Sequence, residues 1–152
     1  MEQRLNYQDF PAGLGDGLIK TDVALKNSGI DFKLLELIKL RASQLNKCAF
    51  CIDMHFKEAK HLGEDEVRLY SLSAWEECPF YTDSERAALR FTEVLTNAST
   101  NDVSDLLYAQ LLSHFSKSEI AVLTVAISQI NVWNRINKTI RSVPGNHVVG
   151  RH

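Results

Sequence analysis

The sequence predicts an all-α fold, a single-domain helical bundle of about six to seven helices spanning residues 1–152. Three observations point there. Proline and glycine are sparse, three and seven in 152 residues, and between residues 30 and 143 only Gly63 and Pro79 occur. Long stretches therefore lack the residues that punctuate turns and strands. Apolar residues recur at three- and four-residue spacing rather than in alternation. Asp31, Thr82 and Ser116 stand where helix N-caps belong, and the latter two are followed three positions later by Glu85 and Glu119, the capping-box pattern.

Taken in order, the stretch "PAGLGDG" (11–17) reads as loose structure. Asp31 then caps a helix through about Leu45, with Leu34, Leu35, Ile38 and Ala42 on its apolar face. Asn46 reads as a boundary and cap. A second helix carries Cys48, Cys51 and His55 and stops at Gly63, the residue best able to take the left-handed C′ conformation. A third runs from Glu64 to about Glu77, before Pro79. Thr82 starts a helix to about Ala98, and a shorter one covers Ser104 to His114. The last, Lys117 to about Arg141, carries Ile120, Val122, Leu123, Val125, Ala126, Ile127, Ile130, Val132 and Trp133 around much of its circumference. Such a helix needs burial nearly all round, by its own domain or by another subunit, so a homo-oligomer is expected. The tail "VPGNHVVGRH" (143–152) again reads as loose.

Composition narrows the function. A hydrophobic fraction of 45% with 24% charged residues suffices for a real core. The formal charge of −2 comes with scattered Lys and Arg, which offers nucleic acid no basic stripe. No run approaches the roughly 18 apolar residues of a membrane span, and "MEQRLNYQDF" lacks a signal-peptide pattern, so a cytoplasmic protein is expected. Three cysteines without a secretion signal point to catalytic, metal-binding or simply buried thiols rather than a disulfide framework.

Cys48, Cys51 and His55 sit at i, i+3 and i+7, so all three share one helix face. Cys48 falls in the first turn, where free N–H groups and the helix dipole favour a thiolate, and His55 can exchange a proton with Cys51. C-x-x-C is also the spacing of dithiol redox chemistry, because its sulfurs close a disulfide with little backbone movement. Zinc is an alternative, with Glu36, Cys78 or His114 as fourth ligand, but no second pair at metal-ligand spacing exists. Haem attachment would need His where Ile52 stands. Cys78 reads as a small buried apolar residue, His61 and His114 as surface or cap residues.

Glu36 lies in the apolar and basic run "KLLELIKLRASQL". In one straight helix it would be about 18 Å from Cys48. A break at Asn46 would let the two helices fold together and bring a half-buried Glu36 to His55, where a carboxylate orients the imidazole and raises its basicity. The competing reading is a surface Glu paired with Lys33, Lys39 or Arg41.

The spacing of Glu36, Cys48, Cys51 and His55 resembles the AhpD-like alkylhydroperoxidases of the carboxymuconolactone decarboxylase superfamily. The strings "LIKLRASQLNKCAFCIDMH", "CPFYTDSERAAL" and "AISQINVWNRI" resemble that family as well. The resemblance implies an all-helical fold, oligomers built from dimers and often hexameric, and thiol peroxidase activity. It implies that Cys51 is the peroxidatic thiol, that the more exposed Cys48 resolves it, and that His55 and Glu36 form a proton relay; the residues alone favour Cys48 as the nucleophile. At position 50, where the best-known members carry His, this sequence has Phe50; other branches carry an aromatic there and keep both cysteines. Members that decarboxylate a muconolactone usually lack the C-x-x-C pair. The expected activity is therefore hydroperoxide reduction, with a lipoyl- or thioredoxin-type dithiol as reductant and no metal, haem or flavin cofactor. The alternative is a redox-sensing or zinc-stabilised binding module without turnover.

Overall fold

The structure is a computed structural model that describes residues 2–150. Seven α-helices run in chain order: α1 (Asp16–Lys26), α2 (Phe32–Leu45), α3 (Ala49–His61), α4 (Glu66–Ser71), α5 (Asp83–Thr96), α6 (Asp105–Leu112) and α7 (Lys117–Ile140). Short 3-10 segments occupy Tyr7–Asp9 and Leu72–Glu77, and no strand occurs among the described residues. The fold is all-α, as the sequence predicts.

The caps act where expected. The Asp31 side chain accepts from the Lys33 N–H, and Thr82 and Ser116 each close a capping box with Glu85 and Glu119. Ser104 accepts from the Leu107 N–H at the start of α6. Two elements differ from expectation. The region predicted as one helix over 64–77 is α4 followed by the 3-10 segment, with non-helical backbone at Ala74 (φ −120°, ψ 33°). Helix α1, which begins inside the glycine-containing stretch, has Gly15 as its N-cap and buries only Leu25. Polar bonds fix it to α7 instead: Trp133 Nε1 donates to Asp22 at 2.9 Å and Gln129 Nε2 donates to the Leu18 carbonyl at 2.8 Å.

Helix α2 is the centre of the molecule. Leu34, Leu35 and Ile38 face one apolar cluster with residues of α5, α6 and α7, including Phe91, Leu111 and Leu123. Leu37 and Leu40 face a second, with Ala59, Leu69, Trp75 and Leu89. Helix α7 is not apolar all round: it buries Asn131, Asn134 and Asn137 beside Leu123 and Ile127, while Val125 and Val132 are 46% and 39% exposed. Its inward amides tie the bundle together, since Asn46 Nδ2 donates to Asn131 and Asn134 and Asn134 Nδ2 donates to Ser43 Oγ, all at 2.9–3.0 Å.

The reversal between α2 and α3 is a Schellman motif. The Cys48 N–H bonds the Ser43 carbonyl and the Lys47 N–H bonds that of Gln44. Lys47, at C′, takes the left-handed conformation (φ 53°) that glycine usually supplies, as Gly63 does with φ 82° after α3. Two helices joined this tightly fold back on each other, which brings Glu36 of α2 opposite α3.

Candidate active site

Cys48 is the N-cap of α3, with extended backbone (φ −94°, ψ 94°) and its carbonyl accepting the Ile52 N–H. Cys51 lies one turn in. Their sulfurs are joined in a disulfide with the Cα atoms 5.4 Å apart, inside the usual range of about 4.4–6.8 Å. His55 follows a turn later on the same face, and its Nδ1 lies 2.6 Å from Glu36 Oε2. The other carboxylate oxygen accepts from Lys39 Nζ at 2.9 Å. Burial alone would raise the Glu36 carboxyl pKa, but the charge and hydrogen bond of His55, with Lys39 behind them, outweigh it and pull the pKa down to about 2. The carboxylate is thus ionised through the neutral range. It accepts the Nδ1 proton, which in a neutral imidazole leaves Nε2 as the basic nitrogen. Nε2 is buried and finds no hydrogen-bond partner among the described residues. An orphaned basic nitrogen one turn from Cys51 can receive a thiol proton when the disulfide is opened.

Beside this group lies a cavity of about 710 Å³. Glu36, Lys39 and His55 are among its polar lining, and Phe50, Met54 and Trp133 among its apolar lining. Phe50 and Met54 flank Cys51 in sequence on α3 and separate the cavity from the buried Cys51, which does not itself line it. The cavity is also lined by Asn146, His147 and Val148 of the C-terminal segment, which the sequence presents only as a loose tail.

The four sequence-predicted site residues form two pairs, Cys48 with Cys51 and Glu36 with His55, one helical turn apart along α3. Glu36 is paired with both His55 and Lys39 and is nearly buried, so it has a partner from each of the two readings without being a surface residue. Both cysteines are buried, Cys48 at 2% and Cys51 at 0% exposure, so the expected difference in exposure amounts to almost nothing. No group of three or more His, Cys, Asp or Glu side chains is arranged to hold a metal among the described residues. Of the fourth ligands considered for zinc, Cys78 directs its thiol to the Ala74 carbonyl and His114 packs edge-on against Phe115. The residues missed from sequence are those of the tail and their anchors on α3, Asp53, Lys57 and Glu58. The one available signal was weak, an Asp53/Lys57 i, i+4 pair.

A buried C-x-x-C at the head of a helix, with a Glu–His pair on its flank in an all-helical bundle, is the arrangement of an AhpD-like protein. The chain belongs to the carboxymuconolactone decarboxylase family, which it matches over residues 7–94. It is 42% identical over 138 residues to the uncharacterized protein YdfG of Bacillus subtilis strain 168, covering 90% of this chain and 93% of that one. The crystal structure of ATU0492 from Agrobacterium tumefaciens, a protein of unknown function proposed to be the antioxidant defence protein AhpD, superposes with a TM-score of 0.91 at 38% identity, covering 96% of this chain and all of that one. An uncharacterized peroxidase-related protein from Silicibacter sp. TM1040 shares the fold, with a TM-score of 0.78 at 21% identity over 89% of this chain and 72% of its own. No helix is long and apolar enough to cross a membrane among the described residues.

Proposed function

We propose that the protein is a thiol-dependent peroxidase that reduces hydroperoxides through a Cys48/Cys51 dithiol–disulfide cycle. The observation that carries this reading is the Cys48–Cys51 disulfide set one turn from a buried Glu36–His55 pair. A metal site or a packing core has no use for an oriented base there; a thiol that must ionise does. His55 Nε2 takes the Cys51 proton, the thiolate attacks a peroxide oxygen and the O–O bond breaks, leaving Cys51 as sulfenic acid and releasing the alcohol or water. The Cys48 thiol then displaces water to form the disulfide. An external dithiol of lipoyl or thioredoxin type restores both thiols by exchange. We place this activity in the cytoplasm, in a homo-oligomer.

One equivalent of hydroperoxide added to reduced protein tests the cycle. Two thiols should disappear, and peptide mapping should find Cys48 bridged to Cys51 with Cys78 free. Cys51→Ser should consume no peroxide, and Cys48→Ser should leave a sulfenic acid on Cys51 that a dimedone-type reagent traps. A bridge to Cys78, or a trapped sulfenic acid on Cys48 in the Cys51→Ser variant, would overturn the assignment.

A further inference from the structure

Cys51 is missing from a cavity that its neighbours line. Helix α3 contributes Phe50, Met54, His55 and Glu58 to the cavity of about 710 Å³ beside the Glu36–His55 pair. Counted from Cys51, these are positions i−1, i+3, i+4 and i+7, so the last three stand on the helix face that carries the cysteine. Cys51 is nevertheless fully buried and takes no part in the lining. Side chains on that face therefore cover it. In an α-helix the Cα–Cβ bonds tilt toward the N-terminus, so a side chain lies over the preceding turn, on the residues three and four positions back. Met54 and His55 are the two side chains so placed over Cys51.

The two covers differ in freedom. His55 is pinned, because its Nδ1 lies 2.6 Å from Glu36 Oε2 and Glu36 is held in turn by Lys39. Met54 is half-buried and carries no strong hydrogen-bonding group; its unbranched thioether turns about three bonds and fits itself to what lies against it. We propose that Met54 is a specificity-determining residue, the movable cover between the cavity and Cys51. The proposal rests on the peroxidase reading and names what that site selects: an organic hydroperoxide unbranched at the carbon that bears oxygen. Its apolar part stays in the cavity, beside Phe50 and Trp133, and its narrow –OOH end passes Met54 to the sulfur. The volume suits such a molecule, since small-molecule sites usually span about 300–1,000 Å³. A hydroperoxide branched at that carbon meets the Met54 side chain before its oxygens meet sulfur.

Single-turnover oxidation of the reduced protein by n-butyl and tert-butyl hydroperoxide tests this role. The two isomers differ in shape at the carbon that bears oxygen and hardly as leaving groups, and the ratio of their rates cancels any general loss of activity in a variant. The unmodified chain should favour the n-butyl isomer. Met54→Ala should lower that preference by about tenfold or more, the discrimination that one methylene of crowding supplies, and Met54→Phe should raise it. A second arm leaves peroxides out. With Cys48 and Cys78 replaced by Ser, alkylation of Cys51 by N-phenylmaleimide should gain more from Met54→Ala than alkylation by the slimmer N-ethylmaleimide. Equal rates for the two isomers in the unmodified chain, a ratio that stays put in either variant or moves the same way in both, or an alkylation order indifferent to Met54 would each overturn the proposal. If the unmodified chain reduces neither isomer, the peroxidase reading itself fails, and the alkylation arm alone decides whether Met54 covers Cys51.

Discussion

Replacing Glu36 by Gln isolates the charge in the proposed relay while keeping its volume. Glu36 Oε2 lies 2.6 Å from His55 Nδ1, and both side chains are nearly buried, at 12% and 7% exposure. Unit charges about 3 Å apart attract by about 5 kcal/mol at an effective dielectric of about 20, an attraction that favours the imidazolium formed when His55 takes the thiol proton. Lys39, which shares the carboxylate, cancels part of it, and the Gln oxygen can still accept from Nδ1. A residual loss of about 3 kcal/mol in thiolate–imidazolium stability lowers the rate near neutral pH about 10²-fold, within the range of general acid–base effects. The assay is single-turnover oxidation by hydroperoxide from pH 5 to 9, with thiolate absorbance followed on the same samples. In Glu36→Gln, thiolate formation and rate should rise only toward the ordinary thiol pKa of about 8.5, where hydroxide takes over. A variant with full activity and an unshifted pH profile would refute the relay and leave Glu36 a structural partner of Lys39.

Acid stability should report the same carboxylate. A pKa drawn from 4.5 down to about 2 on folding contributes stability that is complete above about pH 4.5 and lost as the pH falls through about 2. The contribution is about 3 kcal/mol at most, so the urea midpoint of the unmodified chain should fall more steeply between pH 5 and 2 than that of Glu36→Gln. Lys47→Gly should raise the unfolding free energy in urea by up to about 1 kcal/mol without altering peroxide turnover, since the left-handed C′ position penalises a Cβ; unchanged or lower stability would mean the flexibility added to the unfolded chain dominates. Light scattering at micromolar concentration should give the mass of an oligomer, because Val125 and Val132 of α7 and Leu106 of α6, 46%, 39% and 71% exposed, present apolar surface that a second copy can cover; a monomeric mass would contradict it.

Local signals were legible in the sequence and long-range ones were not. The caps at Asp31, Thr82 and Ser116 and the stop at Gly63 each depend on residues within four positions, so their pattern is written in the sequence. The Glu36–His55 contact was accessible because a single break at Asn46 folds one helix on the next. Helix α1 escaped detection because its docking depends on Trp133 and Gln129 of α7 rather than on an apolar stripe of its own. The apolar count of α7 misled, because Asn131, Asn134 and Asn137 are turned inward to bind Asn46, Ser43 and Tyr7, leaving valines outside. His147 left no pattern at all: its partner Glu58 is 89 positions away. A histidine in a glycine- and proline-bearing tail acquires meaning only when α3 supplies Asp53, Lys57 and Glu58 to hold it.

The Schellman turn explains how both cysteines can change oxidation state without the bundle changing shape. The Cys48 N–H is bound by the last turn of α2 and its carbonyl by the first turn of α3, so the backbone at Cys48 is fixed from both sides whatever its sulfur does. Cys51 is fixed as an interior helical residue. Their Cα separation of 5.4 Å suits a disulfide, and it is set by backbone hydrogen bonds that survive reduction. Once an external dithiol has reduced the S–S bond in the proposed cycle, the two sulfurs can separate by rotation about their Cα–Cβ bonds. The position also divides the labour between two chemically identical residues. Cys48, as N-cap, lies against the free N–H groups at the head of α3, which favour a thiolate as leaving group when the disulfide is reduced. In the proposed cycle Cys51, one turn inward, has His55 a turn further along the same face as its base. A helix end assists one sulfur and a buried Glu–His pair the other, and a two-thiol cycle needs both.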